Sequence, residues 1–252
     1  MQNQSNVPVI EVKNVKKQFG DYFANNDISL KVESGTIFGL LGPNGAGKTT
    51  TLKIMMGLIY PTSGNVQIFG RDIKDINIKM DIGFLPEAPY FYDYLTAREF
   101  LDFYSQLFGL AKKERERRIE GLLDMVDLRL VKDTQLRKFS RGMLQRIGIA
   151  QALINDPKLV ILDEPMSALD PVGRTKIRDV ILRLKDEGKT VFFSSHILSD
   201  VEMICDQVGL LVNGKLKEIG KLEELLGERE SLEDLFMEEI AAMAQCKMQN
   251  AN

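Results

Sequence analysis

Ile37-Phe38-Gly39-Leu40-Leu41-Gly42-Pro43-Asn44-Gly45-Ala46-Gly47-Lys48-Thr49-Thr50 is the stretch that decides the architecture of this chain. Ile37–Leu41 carries no polar side chain, as a strand covered on both faces should, and it runs into a glycine-rich loop and then a helix predicted to begin near Lys48. The loop satisfies G-x-x-x-x-G-K-[ST] in the strand-loop-helix context that this pattern requires. Gly42, Gly45 and Gly47 let the backbone bend so that several N–H groups converge on an anion, with Pro43, Asn44 and Ala46 completing the cradle. The positive end of the following helix points at the same place. Lys48 adds an ammonium for β- and γ-phosphates, the Thr49 hydroxyl is placed to ligate Mg²⁺, and Thr50 extends the contact surface. The expected ligand is a phosphate chain with Mg²⁺.

A metal held beside phosphates needs a second acidic station. Leu159-Val160-Ile161-Leu162-Asp163-Glu164 supplies it as an apolar strand ending in two carboxylates. Asp163 is read as a partner of Mg²⁺, and Glu164 as the general base for the water that attacks the γ-phosphate.

Around these stations the chain divides by pattern. Short β-rich runs are predicted at Val9–Val12, Ile28–Val32 and Val66–Phe69, punctuated by Gly35, Gly64 and Gly70. From about Pro89 to Ile154 the apolar spacing turns helical, through Phe100, Leu101, Tyr104, Leu107 and Phe108, then Ile119, Leu122, Leu123 and Val126, then Met143, Ile147 and Ala150. Strand-helix alternation then returns, with strands at Leu159–Leu162, Val191–Ser194 and Val208–Val212 and helices from about Pro171 and Ile197. This order predicts an α/β fold: a P-loop core with a mostly parallel sheet, an N-terminal antiparallel β subdomain and an inserted α-helical subdomain. The expected division is an ATP-binding core at about 8–88 and 156–220, helices at about 89–155, and a C-terminal helical tail at about 221–252. In that tail, Ser231–Gln245 reads as an amphipathic helix that packs on its own domain or docks a partner.

Between and after the two acidic and phosphate stations, further segments resemble one family, the ABC ATPases. Phe139-Ser140-Arg141-Gly142-Met143 is similar to that family's signature, usually Leu-Ser-Gly-Gly-Gln. Ser140 can cap the following helix while Gly142, having no side chain, approaches an anion closely. Ser167-Ala168-Leu169-Asp170 resembles the family's D-loop, and His196 in Ser194-Ser195-His196 its switch histidine. Phe19 in Lys17-Gln18-Phe19-Gly20 matches the aromatic that stacks on adenine, with Tyr22 as the alternative and core packing as a third reading. The resemblance runs from about Ile10 to Phe236, with the motifs in the family's order.

It implies an ATP-hydrolysing subunit whose two copies close head to tail around two Mg-ATP. One face of each shared site carries Phe19, the phosphate loop, Glu87, Asp163, Glu164 and His196, and the other carries Ser140 and Gly142. It also implies a separate integral membrane permease as partner. Two departures stand out. Leu85-Pro86-Glu87 has a carboxylate where the family usually has a glutamine, so Glu87 can accept or ligate Mg²⁺ but lacks an amide donor. Arg141 and Met143 replace Gly and Gln in the signature. With Ser194-Ser195-His196-Ile197-Leu198 and Ser231-Leu232-Glu233-Asp234-Leu235-Phe236, these features look like the ABC-2 type branch, whose members commonly power export. Tyr90-Phe91-Tyr92-Asp93-Tyr94-Leu95-Thr96 is read either as aromatic core or as the face toward the membrane partner.

Composition fits this picture. The 252 residues carry 33 Lys plus Arg against 36 Asp plus Glu, a formal charge of −3, with 44% hydrophobic and 27% charged residues. That balance suits a folded globule and gives no general attraction for nucleic acid, which is not expected as a partner. Cys205 and Cys246 lack metal or redox spacing and are read as packing or surface residues. No run approaches the roughly 18 apolar residues of a membrane span, and Met1–Pro8 is polar rather than signal-like. The expected location is cytoplasmic, peripheral on the inner face of the membrane through the permease.

Overall fold

In the computed structural model, which describes residues 7–167, 169–227, 229 and 231–239, every residue of the strand Ile37–Leu41 is buried. Its side chains alternate between two cores, as the pleat demands. Ile37 and Leu41 face one cluster, and Phe38 and Leu40 face the other, where Phe38 stacks on Phe192 at 5.0 Å between ring centroids.

In chain order the strands are β1 (Ile10–Phe19), β2 (Tyr22–Val32), β3 (Ile37–Leu41), β4 (Ser63–Ile68), β5 (Arg71–Asp72), β6 (Ile82–Leu85), β7 (Leu159–Leu162), β8 (Thr190–Ser195), β9 (Gln207–Val212) and β10 (Lys215–Lys221). The helices are α1 (Lys48–Met55), α2 (Ala97–Leu107), α3 (Lys112–Met125), α4 (Arg141–Ala152), α5 (Pro171–Asp186), α6 (Leu198–Ile204) and α7 (Leu222–Leu226), followed by α8 at 232–239. One sheet has six strands in the order β10-β9-β3-β8-β7-β6, parallel except for the antiparallel edge strand β10. The other has four antiparallel strands in the order β2-β1-β4-β5. The α/β expectation with a separate antiparallel sheet and a helical insertion therefore matches the architecture.

The register fixes the site. Leu41 pairs with Ser195, Leu162 with both Leu85 and Phe193. The C-terminal ends of β3, β6, β7 and β8 consequently finish side by side, the place where parallel sheets bind ligands. Gly39 is required within this packing, because a Cβ there would lie 2.8 Å from Cys205 Sγ. Burial pushes the Cys205 thiol well above its ordinary range, which keeps it protonated and unreactive. Cys246 lies outside the described residues.

Element boundaries differ from the sequence reading where solvent touches the chain. β1 and β2 extend far beyond Val9–Val12 and Ile28–Val32, because one face of an antiparallel sheet tolerates polar residues such as Lys13 and Lys31. The helical stretch does not begin near Pro89: α2 starts at Ala97, where Thr96 and Glu99 form a reciprocal cap. In the aromatic segment before it, Phe91 and Tyr92 pack on the core, as the core reading expects, while Tyr90 and Tyr94 are exposed. In the tail, Leu232 and Leu235 are buried in the main core, so α8 packs on its own chain. The remainder of that predicted helix, from Ile240, lies outside the described residues.

Candidate functional site

The loop between β3 and α1 wraps a cavity of about 300 Å³ lined by Asn44–Thr50 with Tyr22, Ala24, Glu87 and Glu164. Gly47 sits at the helix entry with φ 106°, and a Cβ there would fall 2.2 Å from the Ala24 carbonyl oxygen. Only glycine meets both the dihedral and the steric demand. Buried Asn25 braces the loop, its amide donating to Thr51 Oγ1 at 2.9 Å and to the Gly47 carbonyl at 3.3 Å. The N–H groups of the first turn of α1 have no acceptor within the helix and face this cavity as an anion cradle.

Lys48 is 6% exposed. Its ammonium donates to the carbonyls of Gly42 (2.7 Å) and Pro43 (3.2 Å) and lies 3.1 Å from Glu164 Oε1. That oxygen is buried and has no hydrogen-bond donor among the described residues, so the ammonium is close without hydrogen-bond geometry. The other carboxylate oxygen, Oε2, meets His196 Nδ1 at 2.8 Å. Glu164 itself sits at φ 51°, a left-handed conformation that is unfavourable for a residue with a side chain. Such a backbone persists only when its surroundings over-determine it.

One of those surroundings is Ser194, which the sequence reading placed in a strand without giving it a task. Its hydroxyl donates to Asp163 Oδ1 at 2.6 Å and accepts from the Glu164 N–H at 2.9 Å. A single buried side chain thus orients both members of the acidic pair. Thr49 Oγ1 also lies 3.3 Å from Asp163 Oδ1. Replacing Ser194 by Ala leaves a buried carboxylate oxygen and a buried N–H short of a partner each. The expected cost is about 1–3 kcal/mol, read as a lowered midpoint in urea unfolding with an unchanged slope; an unaltered midpoint would exclude this bracing role.

The sequence-predicted residues do not all meet in one chain. Lys48, Thr49, Thr50, Glu87 and Glu164 share the cavity, and Asp163 and His196 join it through the contacts above. Tyr22 also lines it, its hydroxyl donating to the Gly45 carbonyl at 3.2 Å. Phe19 pairs across the hairpin with Tyr22, exposed, with the Lys17 ammonium 4.8 Å above its ring. Core packing is therefore not its role. Ser140 and Gly142 do not line the cavity. Ser140 caps α4 by accepting from Met143 N–H, and a Cβ on Gly142 would meet nothing nearer than Leu169 at 3.7 Å. Met143 packs on the core, while Arg141 is exposed.

The residues fit a divalent cation that arrives with phosphate. Thr49 and Asp163 offer hard oxygen atoms, and no group of three or more His, Cys, Asp or Glu among the described residues could hold a metal unaided. That pattern suits Mg²⁺, which keeps water and substrate oxygens in its shell.

Against family models, residues 25–167 match the ABC transporter family. This chain belongs to the ABC transporter ATP-binding family. The ATP-binding cassette described here is 54% identical over 208 residues to an ABC transporter ATP-binding protein of Synechocystis, covering 82% of this chain and 59% of that one. It is 42% identical over 220 residues to the bacitracin transport ATP-binding protein BcrA of Enterococcus faecalis, covering 86% of this chain and 70% of the relative. The chain spans about three fifths of the length of the first curated relatives it matches. Among solved structures, the dimeric post-hydrolysis state of the cassette MJ0796 bound to ADP and Pi superposes with a TM-score of 0.77 at 29% identity, covering 84% of this chain and 98% of that one. Among the described residues, no helix of the cassette is long and apolar enough to cross a membrane.

Proposed function

We propose that this cassette binds and hydrolyses Mg-ATP as one of two identical subunits and transmits the resulting motion to a separate membrane permease, in the direction of export. The observation that carries the proposal is the buried Glu164 carboxylate. It is gripped by Lys48 on one side and His196 on the other, at the mouth of a phosphate-binding loop.

The roles follow from chemistry. Gly42, Pro43, Asn44, Gly45, Ala46, Gly47, Lys48, Thr49 and Thr50 cradle the phosphates, with Lys48 exchanging its carbonyl partners for phosphate oxygens. Phe19 offers an exposed ring for adenine, with Tyr22 beside it. Thr49 and Asp163 hold Mg²⁺, and Glu87 contributes a carboxylate from the cavity wall. When bound, the cation neutralises charge that develops on the phosphate oxygens.

Glu164 Oε1 accepts a proton from the attacking water, and His196 orients the carboxylate through Oε2. Because the ring donates from Nδ1 to a carboxylate, its Nε2 is left to face the water and γ-phosphate. The cradle is completed by Ser140 and Gly142 of a second copy, brought over the γ-phosphate by the positive end of α4. The dimeric MJ0796 structure with ADP and Pi and the transport role in BcrA's name support this reading. The same reading groups about 8–88 with 156–220 as a nucleotide core, about 89–155 as a helical unit and about 221–252 as a tail. The cassette then sits on the inner face of the membrane wherever its permease is.

Capture of the tagged full chain from detergent-solubilised membranes tests the partner. A polytopic membrane protein is expected to co-purify, and the complex to hydrolyse ATP only with Mg²⁺. Recovery of soluble proteins alone would overturn the transport assignment.

A further inference from the structure

Below the switch histidine lies a small apolar cavity of about 260 Å³, lined by Leu41, Gly42, Pro43, Asn44, His196, Leu198 and Phe236. Six of these residues belong to the end of β3, the phosphate loop or the segment after β8. The seventh comes from α8, almost at the end of the described chain. We propose that Phe236 is a positioning residue that holds His196 and the phosphate loop in register, so that α8 is a working part of the hydrolytic site rather than a surface appendage. This rests on the reading of Glu164 and His196 given above.

Three observations carry it. First, His196 is poorly constrained by polar contacts. Its side chain is 43% exposed, and among the described residues its one ion-pair contact is Glu164. The apolar wall of the cavity is the other surface that borders the ring. Second, α6, which begins two residues after His196, is held from two directions. The buried Asp200 pairs with Arg178 of α5 at 3.2 Å, and Glu202 accepts from the Leu232 N–H at the start of α8. Third, α8 is itself anchored. Leu232 and Leu235 are buried, Ser231 and Asp234 exchange hydrogen bonds across its first turn, and Arg229 pairs with Glu238 at 2.9 Å. The anchored α8 thus brings the Phe236 ring to the wall of the cavity that it shares with His196 and the phosphate loop. Removing that ring enlarges the cavity and lets the histidine and the Leu41–Asn44 backbone relax toward each other. A general base depends on the group that aims it, so small displacements here translate into lost rate.

The test uses the full chain, in which His196 is the one histidine. A ¹⁵N-histidine label therefore gives a single imidazole signal set. Phe236→Ala is expected to move the His196 ring resonances and to lower kcat for ATP hydrolysis by about 5- to 50-fold, with KM for ATP within about twofold of wild type. Phe236→Leu, which keeps most of the volume, should restore kcat to within about threefold of wild type. Wild-type ring resonances and kcat in Phe236→Ala would overturn the proposal. So would an equal loss in both variants that tracks a fall in Tm, since that describes fold maintenance alone. Glu164→Gln in the same assay separates the two levels of the argument. If it leaves hydrolysis intact, the reading of the catalytic pair has failed, while the imidazole spectrum still reports whether Phe236 holds the ring.

Discussion

In Glu164→Gln, steady-state ATP hydrolysis falls by about 10²- to 10⁴-fold while nucleotide binding survives, and a stable ATP-bound dimer accumulates. The substitution is nearly isosteric, so the left-handed backbone at this position and the hydrogen bond its N–H donates to the Ser194 hydroxyl are undisturbed. What changes is proton affinity. An amide oxygen at the place of Oε1 does not take a proton from water, and the buried acceptor that points into the site loses its function. The charge change acts in the opposite direction on binding. Lys48, 3.1 Å from the carboxylate in the wild type, is left with carbonyl partners only and gains attraction for the phosphates. Affinity for ATP is therefore expected to hold or rise. Size-exclusion chromatography with Mg-ATP and a phosphate-release assay check both halves. Unchanged turnover would remove Glu164 as the general base, and loss of ATP binding would make its carboxylate a structural brace.

How much of this was legible beforehand follows burial. β3 and β7 carry no polar side chain because both of their faces are covered, and β8, though buried throughout, is apolar only at Val191–Phe193; the sequences of these runs say so directly. β6 is four residues long, and β10 mixes charged and apolar residues at the sheet edge without strict alternation, so neither rises above the surrounding pattern. The phosphate loop was readable because its glycines answer a local demand that Gly47 illustrates.

Roles that depend on long-range packing were not. Ser194 is a hydroxyl at the end of an apolar run, a visible signal, yet only the pairing of β7 with β8 brings it between Asp163 and Glu164. Asn25 is likewise a buried polar residue in β2 whose task appears only when α1 packs over it. Phe19 and Tyr22 are separated by a tight hairpin turn, and periodicity alone does not decide which ring meets the cavity. The apolar positions of α8 showed an amphipathic helix, but nothing in their spacing placed Phe236 beside His196.

Gly142→Asp provides the strongest test of a site divided between two chains. Within its own chain this glycine has room, since a Cβ would meet Leu169 at 3.7 Å, an ordinary contact, and the backbone there is helical. The variant is therefore expected to fold with a Tm close to wild type. In the proposed dimer the same position approaches a γ-phosphate without a side chain, and an added carboxylate brings both bulk and a negative charge that repels the phosphate. ATP hydrolysis should fall by at least about 100-fold and the ATP-dependent dimer should fail to form. Binding of ATP to the monomer should remain, because the cavity formed by Asn44–Thr50 lies within one chain and does not include Gly142. Isothermal titration at concentrations below dimerisation, set beside a phosphate-release assay, reads these quantities separately. If monomeric ATP binding were lost along with hydrolysis, Gly142 would be acting within its own subunit and the composite site would be wrong. If neither changed, the α4 terminus would have no part in the chemistry.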